Sequence, residues 1–309
     1  MNTAVMRRAS AGSPSRLLIA ALLACYLVWG STYLAIRLAL ESFPPFFQMG
    51  TRFFTAGVLL MAWVRWRSGR NGAAPTPWPT RREWRNAAVV GGLMLGGGMG
   101  LMASAEQHIG SGLIASFIAV VPMMVCGWGL LFGQRPSRLE LAGMVVGIAG
   151  VVLLVRGASF SAAPAGLAYI VGATLAWSLG SVLSATRLPL AAGPTGFASE
   201  MLCGGAILML LSLVLGEQFA WPPRPQAALA WVYLVVFGSI IAFSAYMYLL
   251  GHASPAMATS YAFVNPVIAL LLGIAVADEA VTRGEWIACG VILLGVFLIF
   301  RGKTPSRTG

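Results

Sequence analysis

Long stretches of this chain are apolar and contain no charged side chain, and the charged positions fall between them. Uncharged runs cover residues 17–36, 86–105 and 109–134. A helix rises about 1.5 Å per residue, so roughly 20 residues cross a hydrocarbon core of about 30 Å. Each run is therefore long enough to span a bilayer as a helix.

The same pattern along the whole chain predicts ten membrane-spanning helices. Helix-breaking residues separate them, including Pro44 and Pro45 and the proline-containing connectors 73–82, 191–196 and 221–225. The predicted helices are 17–38, 46–66, 86–105, 111–133, 140–156, 165–185, 195–216, 228–250, 255–277 and 285–301. We predict an all-α membrane protein from this pattern.

The fourth and fifth predicted helices share a pattern with the ninth and tenth. At offsets of 144 and then 145 residues the matching pairs are Ser116 and Ser260, Pro122 and Pro266, Glu140 and Glu285, Arg156 and Arg301, and Gly157 and Gly302. Chance rarely places a mid-span proline, an entering glutamate and a closing Arg-Gly in one register. We predict two five-helix repeats, 17–157 and 158–302, with tails at 1–16 and 303–309.

Composition supports a membrane protein and excludes several other classes. The chain is 58% apolar with a mean hydropathy of +0.82, and 9% of its residues are charged, where soluble domains carry about 25%. The four cysteines are dispersed within predicted helices, so we expect no disulfide framework, no metal site and no cofactor. Phosphate-binding and dinucleotide-binding glycine motifs are missing from the sequence, which argues against an enzyme.

Positive charge is concentrated on one predicted side of the membrane. That side holds Arg7, Arg8, Arg16, Arg65, Arg67, Arg70, Arg81, Arg82, Arg85, Arg135, Arg138, Arg187, Arg301, Lys303 and Arg307. The other side keeps Arg156, Arg224 and Arg283. Cytoplasmic loops carry the excess of arginine and lysine, so we predict that both termini are cytoplasmic. The net charge of +11 reflects this bias, and we expect no nucleic-acid partner.

An odd number of helices in each repeat gives the two halves opposite orientations in the bilayer. Inverted repeats around a central cavity are typical of secondary transporters, in which the two halves exchange conformations to achieve alternating access. Some channels also have inverted repeats, and a channel would be expected to show a ring of like groups around its pore. The sequence therefore favours a carrier, with a facilitative channel-like pore as the alternative.

Several motifs resemble the EamA-type family of the drug/metabolite transporter superfamily. They are Trp29-Gly30-Ser31-Thr32-Tyr33, Pro44-Pro45, Arg52-Phe53, the region of Pro122, Tyr261 to Pro266, and Glu285. The resemblance covers about 17–301 and is nearest to the YedA/YddG-like bacterial group. It implies a ten-helix inner-membrane protein that exports small amphiphilic metabolites, amino acids including aromatic ones above all. Neighbouring groups carry drugs or other metabolites, which keeps the substrate open.

Two prolines are candidates for bends that line the cavity. Pro122 and Pro266 each lie about ten residues into a predicted span, near the middle of the bilayer. Proline removes a helical hydrogen bond, and irregular backbone at this depth is tolerated where it is buried in protein or faces a cavity. A packing kink is the alternative. Asn265 adds an amide at the same depth, which could cap a freed carbonyl or bind a ligand.

Aromatic and hydroxyl side chains form the second set of candidates. Trp29 and Trp177 correspond at an offset of 148 residues and lie past the middle of their spans, where the interfacial aromatic belt explains them less well. The predicted substrate cavity comprises Trp29, Ser31, Tyr33, Pro122, Trp177, Ser181, Tyr246, Tyr261 and Asn265. An apolar cavity with a few polar groups suits an amphiphilic metabolite.

Ionisable residues within the spans are candidates for structural or gating roles, together with Pro266. Arg52 lies roughly 9 Å into its helix, so it either pairs with Glu41 or Glu106 or extends to the membrane surface. Glu200 holds the matching position in the second half, with Arg187 as its expected partner. Glu106 and Glu200 are the candidates for coupling to protons, and a carrier driven by the substrate gradient alone is the alternative.

Small residues predict close helix packing. The third predicted helix is rich in glycine, and Gly143 and Gly147 form a GxxxG motif. These faces could pack within the fold or between subunits, and the short fifth and tenth helices suit a peripheral or dimer-facing position. We therefore keep a homodimer as an alternative to a monomer, beside the small-molecule substrate and the lipid bilayer as partners.

Overall fold

The structure is a computed structural model that describes residues 16–70, 77–109, 114, 117–154, 164–219, 221–277 and 282–302. Most of the predicted tails, 1–16 and 303–309, lies outside the described residues. Four features of the predicted repeat also lie outside them: Ser116, Arg156, Gly157 and the side chain of Glu285.

The described residues fold into α-helices joined by short connectors, without a β-strand among them. The helices are α1 (Arg16–Leu40), α2 (Pro45–Arg70), α3 (Arg81–Ala105), α4 (Val121–Leu131), α5 (Arg138–Leu154), α6 (Pro164–Thr186), α7 (Pro194–Val214), α8 (Pro225–His252), α9 (Pro255–Thr259), α10 (Tyr261–Ala277) and α11 (Arg283–Arg301). Helices α1, α3, α6, α7 and α8 are long and apolar enough to cross a membrane, and shorter apolar helices cover Val121–Leu131 and Trp286–Arg301. Large apolar side chains such as Leu213 lie exposed on the outer faces, as expected for contact with lipid.

Helix α3 begins five residues earlier than the sequence analysis predicted, at Arg81 and not at residue 86. Thr80 and Glu83 form a capping box, in which the Thr80 side chain accepts a hydrogen bond from Glu83 N and the Glu83 carboxylate accepts one from Thr80 N. Each bond satisfies a backbone N–H that has no partner within the helix. The Thr-x-x-Glu spacing was the signal for this start.

The two prolines occupy different helical environments. The predicted helix 111–133 is interrupted, because residues 119 and 120 form a turn and α4 begins at Val121. Pro122 therefore lies in the first turn of α4, where its missing N–H costs no helical hydrogen bond. The interruption of the helix comes directly before Pro122 and not at a mid-helix proline, and its role in lining the cavity stays a prediction. Pro266 lies inside α10, and the chain is interrupted just before that helix, at Ser260.

Helices α3 and α8 each contain a stretch of wide, π-helical turns. The first covers Gly92–Gly100 and the second Leu234–Phe243. They occupy corresponding places in the third helix of each predicted repeat. Long π-helical stretches are rare and frequently occur at functional sites.

Helix packing follows a paired pattern. Helix α2 packs along α7, and α5 packs along α11. Helix α1 contacts α8 and α10, and its counterpart α6 contacts α3 and α4. Helix α2 also contacts α8, and its counterpart α7 contacts α3, while α9 contacts α4. The contacts of α1 and α2 with the second half thus correspond to the contacts of α6 and α7 with the first half. The cavity described below is lined by residues of α1, α3, α4, α6 and α10, and by Ile118 just before α4.

The GxxxG face of α5 packs against α11 within the same chain. A Cβ added to Gly143 would lie 2.6 Å from the carbonyl oxygen of Gly295, and one added to Gly295 would lie 2.6 Å from Gly147 N. Glycine allows the two backbones this close approach. This contact uses the small-residue face inside the subunit, and the homodimer stays a prediction.

Contacts between connectors fix which helix ends lie together. At one end, Glu41 pairs with Arg224 at 3.2 Å, and the Glu217 carboxylate accepts hydrogen bonds from Phe46 N and Phe47 N at the start of α2. These bonds join the α1–α2 connector to the α7–α8 connector.

At the other end, the Asn86 side chain donates to the Pro189 carbonyl, and the Ser137 hydroxyl donates to the Gly302 carbonyl. The first bond joins the start of α3 to the α6–α7 connector, and the second joins the α4–α5 connector to the end of α11. Because α1 ends at the Glu41 side, the first and last described residues of the chain lie at this second end.

Candidate substrate cavity

A cavity lies in the middle of the helix bundle, between helices of the first half and helices of the second. Its empty volume is about 540 Å³, including the part that opens to the outside. The lining residues are Trp29, Thr32, Tyr33, Gly98, Met99, Met102, Ile118, Val121, Ile170, Ala173, Thr174, Trp177, Tyr261 and Asn265. A cavity that is lined mainly by apolar and aromatic groups, with a few polar ones, has the kind of lining that small-molecule sites show.

Four aromatic rings pack together at one wall of the cavity. The Trp29 ring lies 5.7 Å from Trp177 and 4.6 Å from Tyr261, both edge to face, and 5.2 Å from Tyr246. Tyr246 in turn stacks on Trp177 at 5.3 Å. Pairs in these geometries contribute about 0.5–1.5 kcal/mol each beyond the area they bury. The wall is therefore rigid, and it offers ring faces and edges to an aromatic or aliphatic ligand.

Polar atoms in the cavity wall fall into two groups. Some are satisfied by protein partners: Trp29 Nε1 donates to the Gly238 carbonyl at 3.2 Å, and the Tyr246 and Ser181 hydroxyls are bonded at 2.8 Å. Two others are buried without a hydrogen-bond partner, namely Trp177 Nε1, a donor, and Asn265 Oδ1, an acceptor. Buried polar groups normally have partners. Trp177 Nε1 lies beside the Tyr246 and Tyr261 hydroxyls, and Asn265 Oδ1 belongs to a residue that lines the cavity.

The structure places the predicted cavity residues in two layers. Trp29, Tyr33, Trp177, Tyr261 and Asn265 line the cavity. Behind them lie Tyr246 and Ser181, which bond to each other and support the Trp177 ring.

Ser31 and Pro122 are not among the lining residues of this cavity. The Ser31 hydroxyl donates to the Val28 carbonyl and is paired with the Tyr233 hydroxyl at 2.6 Å, toward α8. Pro122 is buried at the start of α4, beside the lining residue Val121.

The remaining lining residues were missed by sequence reasoning. On α6, Ile170, Ala173 and Thr174 line the cavity together with Trp177. Their spacing of i, i+3, i+4 and i+7 describes one helix face, which is a signal that the sequence held. Met99 and Met102 on α3 add flexible, polarisable side chains that adapt to ligands of different shape. No sequence signal separates these methionines from ordinary core residues.

Arg52 is fully buried in α2, and its contacts differ from those the sequence suggested. Its Nε donates to the Ser239 hydroxyl at 2.7 Å, its Nη1 contacts Met49 Sδ at 3.5 Å, and its guanidinium lies over the Phe53 ring at 4.6 Å. Within the described part of the chain, no carboxylate lies within ion-pair distance of Arg52.

The acidic residues expected to pair with buried charges have other surroundings. Glu41 pairs with the exposed Arg224, so the expectation that it pairs with Arg52 is wrong. Glu106 follows α3 and lies within Coulombic range of Arg37 and Arg52 without a contact at ion-pair distance to either. Its buried Oε1 has no hydrogen-bond partner among the described residues.

Glu200 is fully buried in α7, and neither carboxyl oxygen has a hydrogen-bond partner among the described residues. Its expected partner, Arg187, instead lies over the Phe132 ring at 5.6 Å, so the pairing prediction is wrong. A lone carboxylate is costly in the membrane interior and marks a candidate functional residue. The described residues contain no group of three or more His, Cys, Asp and Glu that could hold a metal ion.

Comparison with known proteins identifies the family. The model of the EamA-like transporter family matches this chain twice, over residues 16–156 and 164–301. The chain belongs to the EamA-like transporter family. The family resemblance that the sequence motifs indicated is thereby confirmed.

Relatives of this chain include two proteins that are described as transporters. The chain is 42% identical over 287 residues to the uncharacterized inner membrane transporter YedA of Escherichia coli K12, covering 93% of this chain and 91% of YedA. It is 25% identical to the uncharacterized transporter sll0355 of Synechocystis, covering 90% and 88% of the two chains. It is 26% identical to the protein PecM of Dickeya dadantii, covering 88% and 86%.

A protein of known crystal structure has the same fold as this chain. It is 22% identical in sequence, superposes with a TM-score of 0.75, and covers 93% of this chain and 96% of its own. Together with the membrane-spanning helices, the family places this chain among the membrane transporters of the drug/metabolite transporter superfamily.

Proposed function

We propose that this protein is a secondary transporter that exports small amphiphilic metabolites, aromatic amino acids above all, by alternating access. The observation that carries the proposal is the central cavity, with its aromatic wall and its two buried polar atoms without partners. Trp29, Trp177 and Tyr261 suit an aromatic side chain. Asn265 Oδ1 suits an ammonium group, and Trp177 Nε1 suits a carbonyl or carboxylate oxygen.

The pairing of helix contacts supports a ten-helix protein built from two inverted repeats. Exchanging the first half for the second maps the contacts of α1 onto those of α6 and the contacts of α2 onto those of α7. The family model also matches each half separately, close to the proposed repeats 17–157 and 158–302. Because helices of both halves line the cavity, a rocking motion of the halves would expose it to either side in turn.

The connector contacts support the proposed orientation. The end of the molecule that holds the start of α1 and Gly302 also holds Ser137, in the α4–α5 connector, and Asn86, near the start of α3. Eight arginines lie close to these two residues in the sequence, within 65–85 and 135–138. Positively charged connectors remain in the cytoplasm. We therefore place both termini in the cytoplasm of a bacterial cell and the protein in its inner membrane, as the name of its relative YedA also suggests.

Four residues outside the cavity lining are proposed to have structural or gating roles. Arg52 and Glu200 occupy matching depths in α2 and α7 and are fully buried, while Glu106 is the C-cap of α3, four residues after the lining residue Met102. Pro266 interrupts the hydrogen bonding of α10, one residue after Asn265. Movement of α10 at this point would displace Asn265 and thereby alter the cavity.

Reconstitution into liposomes tests the proposal. We expect saturable uptake of labelled phenylalanine, tryptophan or tyrosine, and accelerated exchange when unlabelled substrate is present on the opposite side. A parallel series with an imposed pH gradient separates proton coupling from facilitated diffusion. Uptake that rises linearly with concentration and shows no exchange would indicate a channel-like pore instead. Uptake of drugs or other metabolites but of no amino acid would contradict the proposed substrate class.

A further inference from the structure

A buried positive charge lies immediately behind the cavity lining. Arg52 is 0% exposed, and its Nη2 has no hydrogen-bond partner among the described residues. Its other two nitrogens are occupied by Ser239 and Met49, neither of which carries charge. A guanidinium at membrane depth is costly unless an anion or an equivalent set of acceptors accompanies it.

Arg52 Nη2 and the cavity-lining residue Thr32 both lie next to Gly238. A Cβ added to Gly238 would lie 2.8 Å from Nη2 and 3.2 Å from the Cγ2 methyl of Thr32. Thr32 lines the cavity, as does Trp29, which donates to the Gly238 carbonyl. Gly238 belongs to the π-helical stretch of α8. Its missing side chain leaves room for the guanidinium beside the lining residue Thr32.

Gln48 adds a second unsatisfied group to the same helix face. It is fully buried one turn before Arg52 on α2, and neither its Nε2 nor its Oε1 has a partner among the described residues. Side chains four residues apart on a helix lie side by side. Arg52 and Gln48 therefore present buried N–H donors without acceptors, and an anion satisfies such donors best.

We propose that Arg52, assisted by Gln48, binds the carboxylate of the transported substrate. This assignment rests on the proposed function and narrows it to aromatic compounds that carry a carboxylate. The aromatic group would lie against Trp29 and Trp177, with the carboxylate toward Arg52 Nη2. Guanidinium groups bind carboxylates through two parallel hydrogen bonds, which a Lys side chain reproduces only in part.

A structural ion pair is the competing interpretation of Arg52. Glu106 lies within Coulombic range of it and could serve as a permanent counter-ion, without any involvement of the substrate. The two interpretations differ in what neutralisation of Glu106 does. A substrate site at Arg52 retains its preference for carboxylates in Glu106→Gln, whereas a structural pair would make Glu106→Gln behave like Arg52→Gln.

Binding of three phenyl compounds to the purified full-length protein tests the assignment. Phenylalanine carries both charged groups, 3-phenylpropionate only the carboxylate and phenethylamine only the ammonium. We expect Arg52→Gln to weaken binding of phenylalanine and 3-phenylpropionate by about tenfold or more and to leave phenethylamine within about twofold. Arg52→Lys should give a smaller loss with the same selectivity.

A second variant keeps the arginine and changes only its approach to the cavity. Gly238→Ala places a methyl group at 2.8 Å from Nη2 and should weaken the two carboxylates selectively. Gly96→Ala is the matched control in the π-helical stretch of α3, because its added Cβ meets Ile207 at an ordinary 3.5 Å. This pair decides the question even where Arg52→Gln fails to fold.

Four results would overturn the assignment. Equal losses of affinity for all three compounds in Arg52→Gln and Gly238→Ala would indicate that Arg52 has a structural role. A Glu106→Gln variant that shows the same pattern of losses as Arg52→Gln would indicate the same. Wild-type protein that binds phenethylamine as tightly as phenylalanine would remove the carboxylate site and leave the transport proposal intact. Wild-type protein that binds none of the three compounds would contradict the proposed substrate class itself, and this assignment with it.

Discussion

The two cavity tryptophans provide a matched pair for testing the site. Trp29 and Trp177 occupy corresponding places in the two halves and touch each other at 5.7 Å. Trp29 Nε1 donates to the Gly238 carbonyl at 3.2 Å, whereas Trp177 Nε1 is buried without a partner. Replacing either tryptophan by Phe removes the five-membered ring of the indole together with its N–H. The two variants therefore differ chiefly in whether the hydrogen bond to the Gly238 carbonyl is lost.

The expected difference follows from the energy of a hydrogen bond in a membrane protein. Such bonds contribute about 0.6 kcal/mol on average and up to about 1.7 kcal/mol. Loss of ring volume costs both variants about 1–2 kcal/mol, by analogy with other reductions of buried side chains. We therefore expect Trp29→Phe to be less stable than Trp177→Phe by about 0.6–1.7 kcal/mol, which is roughly 3- to 20-fold in the unfolding equilibrium constant.

Ligand binding should show the reverse order. Trp177→Phe removes a donor from the cavity wall, beside the Tyr246 and Tyr261 hydroxyls, and should weaken phenylalanine binding by up to about tenfold, the effect of one neutral hydrogen bond. Equilibrium unfolding in mixed detergent and a binding titration on the same preparations measure both quantities. The reasoning fails if Trp177→Phe is the less stable variant, or if its affinity equals that of the wild type.

Three further predictions concern packing, helix termini and the cavity amide. Gly295→Ala should destabilise the protein by about 2 kcal/mol or more in detergent unfolding because its Cβ meets backbone at 2.6 Å, whereas Gly290→Ala, with nothing within 4 Å, should be neutral or slightly stabilising. Glu217→Gln should lower the free energy of unfolding by about 1 kcal/mol, because it weakens the carboxylate cap at the start of α2. Glu41→Gln is the control and should have little effect on unfolding, because the ion pair of Glu41 is exposed. Equal effects of the two substitutions would contradict the capping role of Glu217. Asn265→Leu should reduce transport at least several-fold with normal membrane abundance, and full activity would remove Asn265 from the site.

Hydrophobic patterning predicted the helices closely. The predicted helix 17–38 is observed as Arg16–Leu40, and 165–185 as Pro164–Thr186. The thickness of the bilayer sets the length of a helix, and neighbouring residues set where it starts and stops. Both can therefore be predicted from a short stretch of sequence. Pro122 shows the limit of this approach. Its position within an apolar run suggested a bend, and only the coordinates show that a new helix begins beside it.

The residue types that form the wall of the candidate site could be predicted from the sequence. The contacts between residues far apart along the chain could not. Tryptophan and tyrosine residues far from the interface indicated the aromatic wall. The partner of Arg52 is Ser239, which lies 187 residues away along the chain, and serine is too common to be recognised as such a partner. From charge alone we predicted a carboxylate partner for Arg52 and an arginine partner for Glu200. Such predictions do not take into account which helix faces pack against each other.

Photo-crosslinking with a photoreactive phenylalanine analogue tests the central claim most directly. After illumination of the reconstituted wild-type protein, the modified residues are located by mass spectrometry. The cavity account predicts labels on Met99, Met102 or Trp177, and excess unlabelled phenylalanine should suppress them. Labels confined to the lipid-facing surfaces, or labels that excess phenylalanine leaves unchanged, would contradict the claim that this cavity binds the substrate.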